Sequence, residues 1–189
     1  LLSAEYYDGL DKLLPDDVVF SSLDFIAPLP KVDSIYGQLP PGRNRWPIIW
    51  LENDGDQWHP QPYVHILEKT MRDAHKGGSQ GMLGIHWRTR DIEENFAYLT
   101  QYAWNPKLNA DSFFSDLAKR CYDEKIADEM EVIHKELDLL GYRWVGGGGQ
   151  NECAPFTWGP GTDENLIKLS TLREKIAELQ TSAKRGKNR

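Results

Sequence analysis

The densest group of side chains that could do chemistry lies in residues 50–59, where three carboxylates, two tryptophans and one histidine occur together. Glycoside hydrolysis needs two carboxyl groups, one to protonate the leaving oxygen and one to activate water or attack the sugar. We therefore predict that Glu52 is an acid, a base or a hydroxyl-binding carboxylate, with Asp54 or Asp56 as the second carboxylate. The alternative is a solvated acidic loop that turns after Asp54.

The position of Glu52 in its segment favours the functional interpretation. Side chains alternate between the two faces of a strand, so Ile48, Trp50 and Glu52 share one face. A carboxylate on an inward face has few structural reasons to be there, because burying it without a partner costs several kcal/mol. Indole rings stack on the flat C–H faces of sugars, and we predict that Trp50 and Trp58 bind the substrate.

A second polar group follows the next apolar segment and contains His86, Trp87, Arg88 and Arg90. An indole can stack on a sugar ring, while imidazole and guanidinium groups can bind its hydroxyls. Two close arginines would also suit a uronate or a sulfate, because guanidinium binds such anions through paired hydrogen bonds. We predict substrate contacts for all four residues; the alternative is that Trp87 packs in the core and the arginines pair with neighbouring acids.

The remaining polar and aromatic features are less specific. Asp24 ends a third apolar segment and is predicted to bind substrate, with a turn as the alternative. The histidines lack zinc-ligand spacing, and the glycines at 146–149 lack the sequence of a phosphate loop, so no metal and no cofactor are expected. Four tryptophans are predicted to be structural: Trp46, Trp104, Trp144 and Trp158.

Three short segments rich in β-branched and aromatic residues are predicted as strands: Asp17–Ile26, Trp46–Glu52 and Gly81–Arg88. Helical patterns separate them, and strands joined by such crossovers pair in parallel. The active sites of parallel α/β proteins lie at the carboxyl ends of the strands. The three polar groups are therefore expected to meet at one edge of a sheet.

Helices are predicted over residues 60–77, 91–105, 110–140 and 163–179. The second should open with a capping box formed by Asp91 and Glu94. The third is one long helix or two helices with a break near Tyr122. The predicted apolar face of the second helix consists of Ile92, Phe96, Leu99 and Ala103.

Three strands are too few for a complete α/β domain of 189 residues. We therefore predict an α/β fold that is the carboxyl-terminal portion of a (β/α)8 barrel followed by a mainly helical extension. The barrel elements would occupy residues 1–106, the helical extension with its glycine-rich loop residues 107–180, and a basic tail residues 181–189. The rest of the barrel would come from another chain or segment.

Residues 45–106 contain Trp-Pro-Ile-Ile-Trp-Leu-Glu-Asn-Asp-Gly-Asp at one strand end and Gly-Ile-His-Trp-Arg-Thr-Arg at the next. This layout resembles the final barrel strands of glycoside hydrolases and is similar to the α-glucuronidase and hexosaminidase group, whose (β/α)8 barrels precede a helical region. The resemblance implies an exo-acting glycosidase located outside the cell or in the periplasm. It also implies that the principal acid lies on an earlier strand, in which case Glu52 binds substrate hydroxyls.

The net charge of −7 argues against nucleic acid or an anionic membrane as a partner, because either would require a basic face. The expected partner is a carbohydrate substrate. Two further functions stay open: a carbohydrate-binding or partner-binding fragment without catalysis, and a lyase or isomerase that acts on an acidic sugar. Cys121 and Cys153 could pair or carry two free thiols.

Overall fold

The computed structural model describes residues 10–21, 23–24, 39–51, 62–86, 92–143 and 162–183. A helical turn at 10–13 precedes the first strand. The strands are β1 (Val19–Phe20), β2 (Leu23–Asp24), β3 (Asn44–Arg45), β4 (Ile48–Trp50) and β5 (Leu83–Ile85). The helices are α1 (Val64–Lys76), α2 (Glu93–Trp104), α3 (Ala110–Cys121), α4 (Ala127–Arg143) and α5 (Thr162–Ser182).

All strand pairs in the described residues are parallel, as predicted. β1 pairs with β3, and a second sheet has the order β2-β4-β5. Val19 lies opposite Asn44 and Leu23 lies opposite Ile48, so both pairs keep the same register. The first two predicted strands therefore pair with each other along one continuous register, which is interrupted between β1–β3 and β2–β4. Pro47 lies at the interruption and has no N–H to donate.

Helices α1 and α2 cover one face of the sheet. Ile49 and Leu51 project into the main apolar core, where they meet buried side chains of both helices. A Cβ atom added to Gly84 would lie only 2.6 Å from Cδ2 of Leu99 and 3.1 Å from Cδ1 of Leu51. The missing side chain thus allows α2 to approach β5 closely. The result is an α/β arrangement with an open three-stranded parallel sheet, and the described strands do not close into a barrel.

The predicted helix positions are confirmed, including two helices with a break at Tyr122 instead of one long helix. The predicted capping box of α2 is wrong. The N-cap of the helix is Ile92, and no side chain makes a capping hydrogen bond there. Glu93 and Glu94 instead lie in the first turn, where their negative charges are favoured by the helix dipole. Asp91 lies outside the described residues.

The predicted apolar face of α2 is only partly correct. Ile92 and Leu99 are buried, whereas Phe96 is 50 % exposed and Ala103 is exposed. The buried face of the helix is rotated relative to the predicted face, because it also contains a polar residue and two tyrosines: Asn95, Tyr98 and Tyr102. Trp104, predicted to be structural, is 91 % exposed at the end of this helix.

Of the other tryptophans predicted to be structural, Trp46 lies in the described residues. It is half-buried, and a Cβ atom added to Gly81 would lie 2.8 Å from its ring. Trp46 therefore packs directly on the backbone at the start of β5. Trp144 and Trp158 lie outside the described residues.

Two buried arginines hold the end of the sheet at which the strands begin. Arg43 donates hydrogen bonds to the carbonyl oxygens of Asp11, Leu14 and Pro15. Arg45 donates to the carbonyl oxygens of two residues that precede β3, at 3.2 and 3.0 Å. Backbone oxygens satisfy both guanidinium groups, which explains how these charges are tolerated in the interior.

Helices α4 and α5 form a separate apolar contact. Ile126, Met130 and Ile133 are buried there, and α5 contributes residues at helical spacing: Leu172, Ile176 and Leu179. The described residues from 93 onward are mainly helical, and the division into barrel and extension stays a prediction. Within the described ranges, no helix has the length and apolar character needed to span a membrane.

Candidate functional site

The carboxyl ends of β2, β4 and β5 lie along one edge of the sheet, which we call the carboxyl edge. Asp24 ends β2 and lies opposite Ile49, while Trp50 ends β4 and lies opposite Ile85. His86 follows β5 directly and is exposed. The backbone thus brings three predicted site positions to the same edge. Their roles in binding stay predictions.

The other predicted site residues belong to the two segments that continue from this edge. Residues 52–61 follow β4 and Leu51, and residues 87–91 follow β5 and His86; both segments lie outside the described residues. They contain the predicted catalytic and binding side chains Glu52, Asp54, Trp58, Trp87, Arg88 and Arg90. The described residues show how the ends of these segments are held.

Asn95 joins the two ends of the 52–61 segment. Its side-chain amide donates to the carbonyl oxygen of Leu51 at 3.0 Å, and its Oδ1 accepts from the backbone N–H of Tyr63 at 3.1 Å. The residue is 1 % exposed. One buried amide therefore fixes both the end of β4 and the approach to α1.

Asp138 of α4 satisfies the first turn of α1. Tyr63, the N-cap residue, makes no side-chain capping bond. Instead, the Asp138 carboxylate accepts hydrogen bonds from the backbone N–H groups of Val64 and His65 and forms a further hydrogen bond with Nδ1 of the His65 side chain. The carboxylate is 2 % exposed, whereas the imidazole is 33 % exposed. A negative charge at this end of a helix is also favoured by the helix dipole.

His134 of α4 links three elements. Nδ1 of His134 lies 3.3 Å from Oε1 of Glu94, and its Nε2 lies 2.8 Å from the Tyr122 hydroxyl. The imidazole stacks on the ring of Phe114, with centroids 6.3 Å apart. A carboxylate, an imidazole and a phenol therefore form a chain, which we call the Glu94–His134–Tyr122 chain.

The pKa values of Glu94 and Tyr122 in the Glu94–His134–Tyr122 chain are both shifted. The hydrogen bond with His134 lowers the pKa of Glu94 below its ordinary value of 4.5, against the opposing effect of burial. Burial raises the pKa of the Tyr122 hydroxyl, and the nearby Cys121 thiol and Glu94 carboxyl act in the same direction. The phenol is therefore neutral at physiological pH, whereas Glu94 is ionised.

The lowered pKa of Glu94 predicts a pH-dependent contribution to stability. The unfolded carboxyl binds protons at higher pH than the folded one, so the contribution is fully present above the unfolded pKa near 4.5. It is lost as the pH falls through the folded pKa. We expect Glu94→Gln to cost about 1–2 kcal/mol at pH 7. Urea unfolding of both proteins between pH 7 and pH 3 should show this difference shrinking; a constant difference would contradict the assignment.

Helix α4 thus contacts the first turns of both α1 and α2, a feature that the sequence did not predict. His134 and Asp138 lie one turn apart on α4 and contact the first turns of α2 and α1, respectively. Those turns follow the two segments that carry the predicted site. Helix α4 therefore packs against the two helices that follow the predicted site segments.

The sequence indicates the contacts of Asn95 and Asp138 only weakly. Asn95 and Asp138 stand next to apolar positions of α2 and α4, where polar residues interrupt the pattern. Such an interruption marks a residue that requires a specific partner. Among the residues whose positions are described, no three histidines, cysteines or acidic residues group in a way that could hold a metal ion. The Cys121 thiol is free and half-buried, and Cys153 lies outside the described residues.

The comparisons with known proteins give no further assignment. No protein-family model, curated protein or solved structure matches the chain.

Proposed function

We propose that this chain forms part of a glycoside hydrolase whose substrate lies at the carboxyl edge of β2, β4 and β5. The observation that carries the proposal is the parallel register that brings Asp24, Trp50 and His86 to one edge. Active sites of parallel α/β proteins form at this edge. Tryptophan, carboxylate and arginine side chains provide stacking surfaces and hydrogen bonds suited to a sugar.

In this proposal Glu52 and Asp54 act as the carboxyl pair, and the remaining predicted residues bind the sugar. Arg88 and Arg90 would favour an anionic substituent such as a uronate. Carboxylate chemistry of this kind requires no cofactor. The resemblance to secreted glycosidases makes a location outside the cell or in the periplasm part of the proposal.

The open face of the sheet supports the barrel form of the proposal. Ile49 and Gly84 face the helices, so the alternation of side chains directs Ile48, Leu83 and Ile85 to the opposite face. Leu83 is 43 % exposed there, and the other two are half-buried. In a complete barrel this face would point inward and be covered by the remaining strands. The sequential order β2-β4-β5 is also the order in which barrel strands pair.

The proposal is tested by measuring binding and cleavage separately. The full chain is titrated with oligosaccharides, including glucuronate-containing ones, while tryptophan fluorescence is recorded. It is then incubated with a panel of aryl glycosides and aryl glucuronides, and release of the aryl group is followed. We expect binding together with release, and Glu52→Gln should reduce release by about a hundredfold or more while binding persists.

The matched control is Glu174→Gln, which changes an exposed glutamate of α5 in the same way and should leave release unaltered. Binding without release would favour the non-catalytic alternative. Formation of an unsaturated uronate, detected by its ultraviolet absorbance, would favour the lyase. If Glu52→Gln releases the aryl group at the unsubstituted rate, Glu52 is not a catalytic residue. The absence of both binding and release in the unsubstituted chain would refute the proposal.

A further inference from the structure

The outer side of helix α2 carries apolar side chains that remain exposed. Phe96 is 50 % exposed and Trp104 is 91 % exposed, although the other side of the helix is buried. Four exposed residues share the outer side, and we call them the α2 outer stripe: Phe96, Thr100, Ala103 and Trp104. Successive residues of an α-helix advance by about 100°, which places Thr100 roughly opposite the buried Tyr98. The stripe therefore faces away from the apolar core.

Thr100, at the centre of the stripe, is suited to being covered by another helix. Its hydroxyl bonds to the carbonyl oxygens of Phe96 and Ala97 in the same helix, at 3.1 and 3.0 Å. The hydroxyl therefore needs no partner from a second molecule, and covering it leaves no polar group unsatisfied. Thr100 and Ala103 are also small, so a second helix could pack closely at the middle of the stripe.

The spacing of the two aromatic residues makes the stripe self-complementary. Phe96 lies four residues before Thr100, and Trp104 lies four residues after it. If two copies of α2 pack antiparallel across a two-fold axis at Thr100, residues at equal distances before and after this position face each other. Phe96 of each copy then meets Trp104 of the other. Two aromatic contacts would thus enclose a centre of small residues.

The charges at the two ends of the stripe favour the same arrangement. Glu93 lies seven residues before Thr100 and Lys107 seven residues after it, and both are exposed. The two-fold axis that pairs the aromatic residues therefore also pairs each Glu93 with Lys107 of the other copy. The stripe itself carries no charge, whereas the whole chain has a net charge of −7 that repels a second copy at its acidic surfaces. Opposite charges at matched positions favour a second copy of this chain as the occupant.

We propose that two copies of this chain associate through the α2 outer stripe, with their α2 helices antiparallel and a two-fold axis at Thr100. A contact between two 12-residue helices is small compared with the interfaces of stable dimers. The dimer is therefore weak and reversible, and it forms as the protein concentration rises. The proposal concerns assembly and does not depend on the proposed glycosidase function.

Sedimentation equilibrium of the full chain over a series of concentrations measures the dimer Kd. We expect Trp104→Ser to raise this Kd by about tenfold or more, because aromatic residues contribute most of the affinity at such contacts. Trp104 is almost fully exposed, so the variant should keep its fold, which circular dichroism checks. The matched control is Ile167→Ser, which removes an apolar side chain of α5 that is 68 % exposed. It should leave the Kd unaltered.

Charge reversal tests the antiparallel register. Glu93→Lys and Lys107→Glu each place like charges together in both symmetric pairs, and each should raise the Kd by about threefold or more. Glu93→Lys also lowers the net negative charge of the chain, so general repulsion cannot explain a weaker dimer in this variant. The double variant Glu93→Lys with Lys107→Glu restores both pairs and should return the Kd to that of the unsubstituted chain.

Four results would overturn the proposal. The first is a chain that stays monomeric at every concentration, including one that binds some other molecule through Trp104. The second is a Kd that Trp104→Ser leaves unaltered, and the third is an equal rise in Kd for Ile167→Ser. The last is a double charge reversal that is no tighter than the single variants.

Discussion

Asp138→Ala is expected to lower the free energy of unfolding by about 3–5 kcal/mol. The carboxylate is buried and accepts two backbone N–H groups at the start of α1, in addition to the imidazole of His65. Alanine would leave the buried N–H of Val64 without an acceptor and would remove the acceptor of the partly buried His65 donors. It would also remove the negative charge that complements the helix dipole. Equilibrium unfolding in urea at pH 7 measures the difference.

The matched control for this prediction is Asp116→Ala, which removes an exposed carboxylate from the middle of α3. Its effect should be about 0.5 kcal/mol or less. Asp138→Asn keeps one carbonyl oxygen and should lose less stability than the alanine variant. Equal decreases in the free energy of unfolding for Asp138→Ala and Asp116→Ala would show that the capping contact does not stabilise the fold.

Asn95→Leu is expected to destabilise the fold by about 2–4 kcal/mol, although leucine is apolar and similar in size. The substitution leaves the carbonyl of Leu51 and the N–H of Tyr63 buried without partners. It should also accelerate hydrogen exchange of the Tyr63 amide, because the side-chain acceptor that protects this amide is lost. Urea unfolding and amide exchange followed by NMR measure the two effects.

Gln101→Leu provides the comparison on the same helix, since this residue is half-buried and its side chain bridges no two backbone groups among the described residues. It should leave Tyr63 exchange unaltered. Asn95→Asp preserves the acceptor for Tyr63 but removes the donor to Leu51, and it should protect the Tyr63 amide while still losing stability. Unaltered exchange at Tyr63 in Asn95→Leu would exclude the proposed link.

Local sequence patterns were sufficient for most element positions. The glycines after Lys76 stop α1, with Gly78 at a φ of 84°, and the break at Tyr122 separates α3 from α4. These features depend on neighbours within a few residues, which the sequence displays directly. The parallel pairing followed from the helical crossovers. The barrel stays a proposal, because three consecutive strands are compatible with several larger sheets.

Long-range polar contacts account for what the sequence pattern missed. Asn95 meets a carbonyl 44 positions away and Asp138 meets an N–H 74 positions away, and neither partner is visible in a local window. The predicted apolar face of α2 therefore contains Phe96, whereas the structure buries Asn95 and Tyr98. Trp104 is predicted to be structural, yet it is the last residue of α2 and is exposed.

The same limit applies to the candidate site. The strand ends were predictable, since each polar group follows an apolar run in the chain. The approach of α4 was not, because the partners of His134 and His65 depend on how a helix from the second half crosses the first turns of α2 and α1. The Glu94–His134–Tyr122 chain is therefore a property of the tertiary structure.

The bridge made by Asn95 has a consequence for how this protein could diversify. Since one side chain holds both Leu51 and Tyr63, the stretch between them is anchored at its two ends by contacts that do not involve its own residues. Lengthening such an anchored stretch adds only a slowly growing entropic penalty. Exchange of residues 52–61 for segments of other lengths should thus leave the scaffold folded, which makes this position suitable for grafted loops.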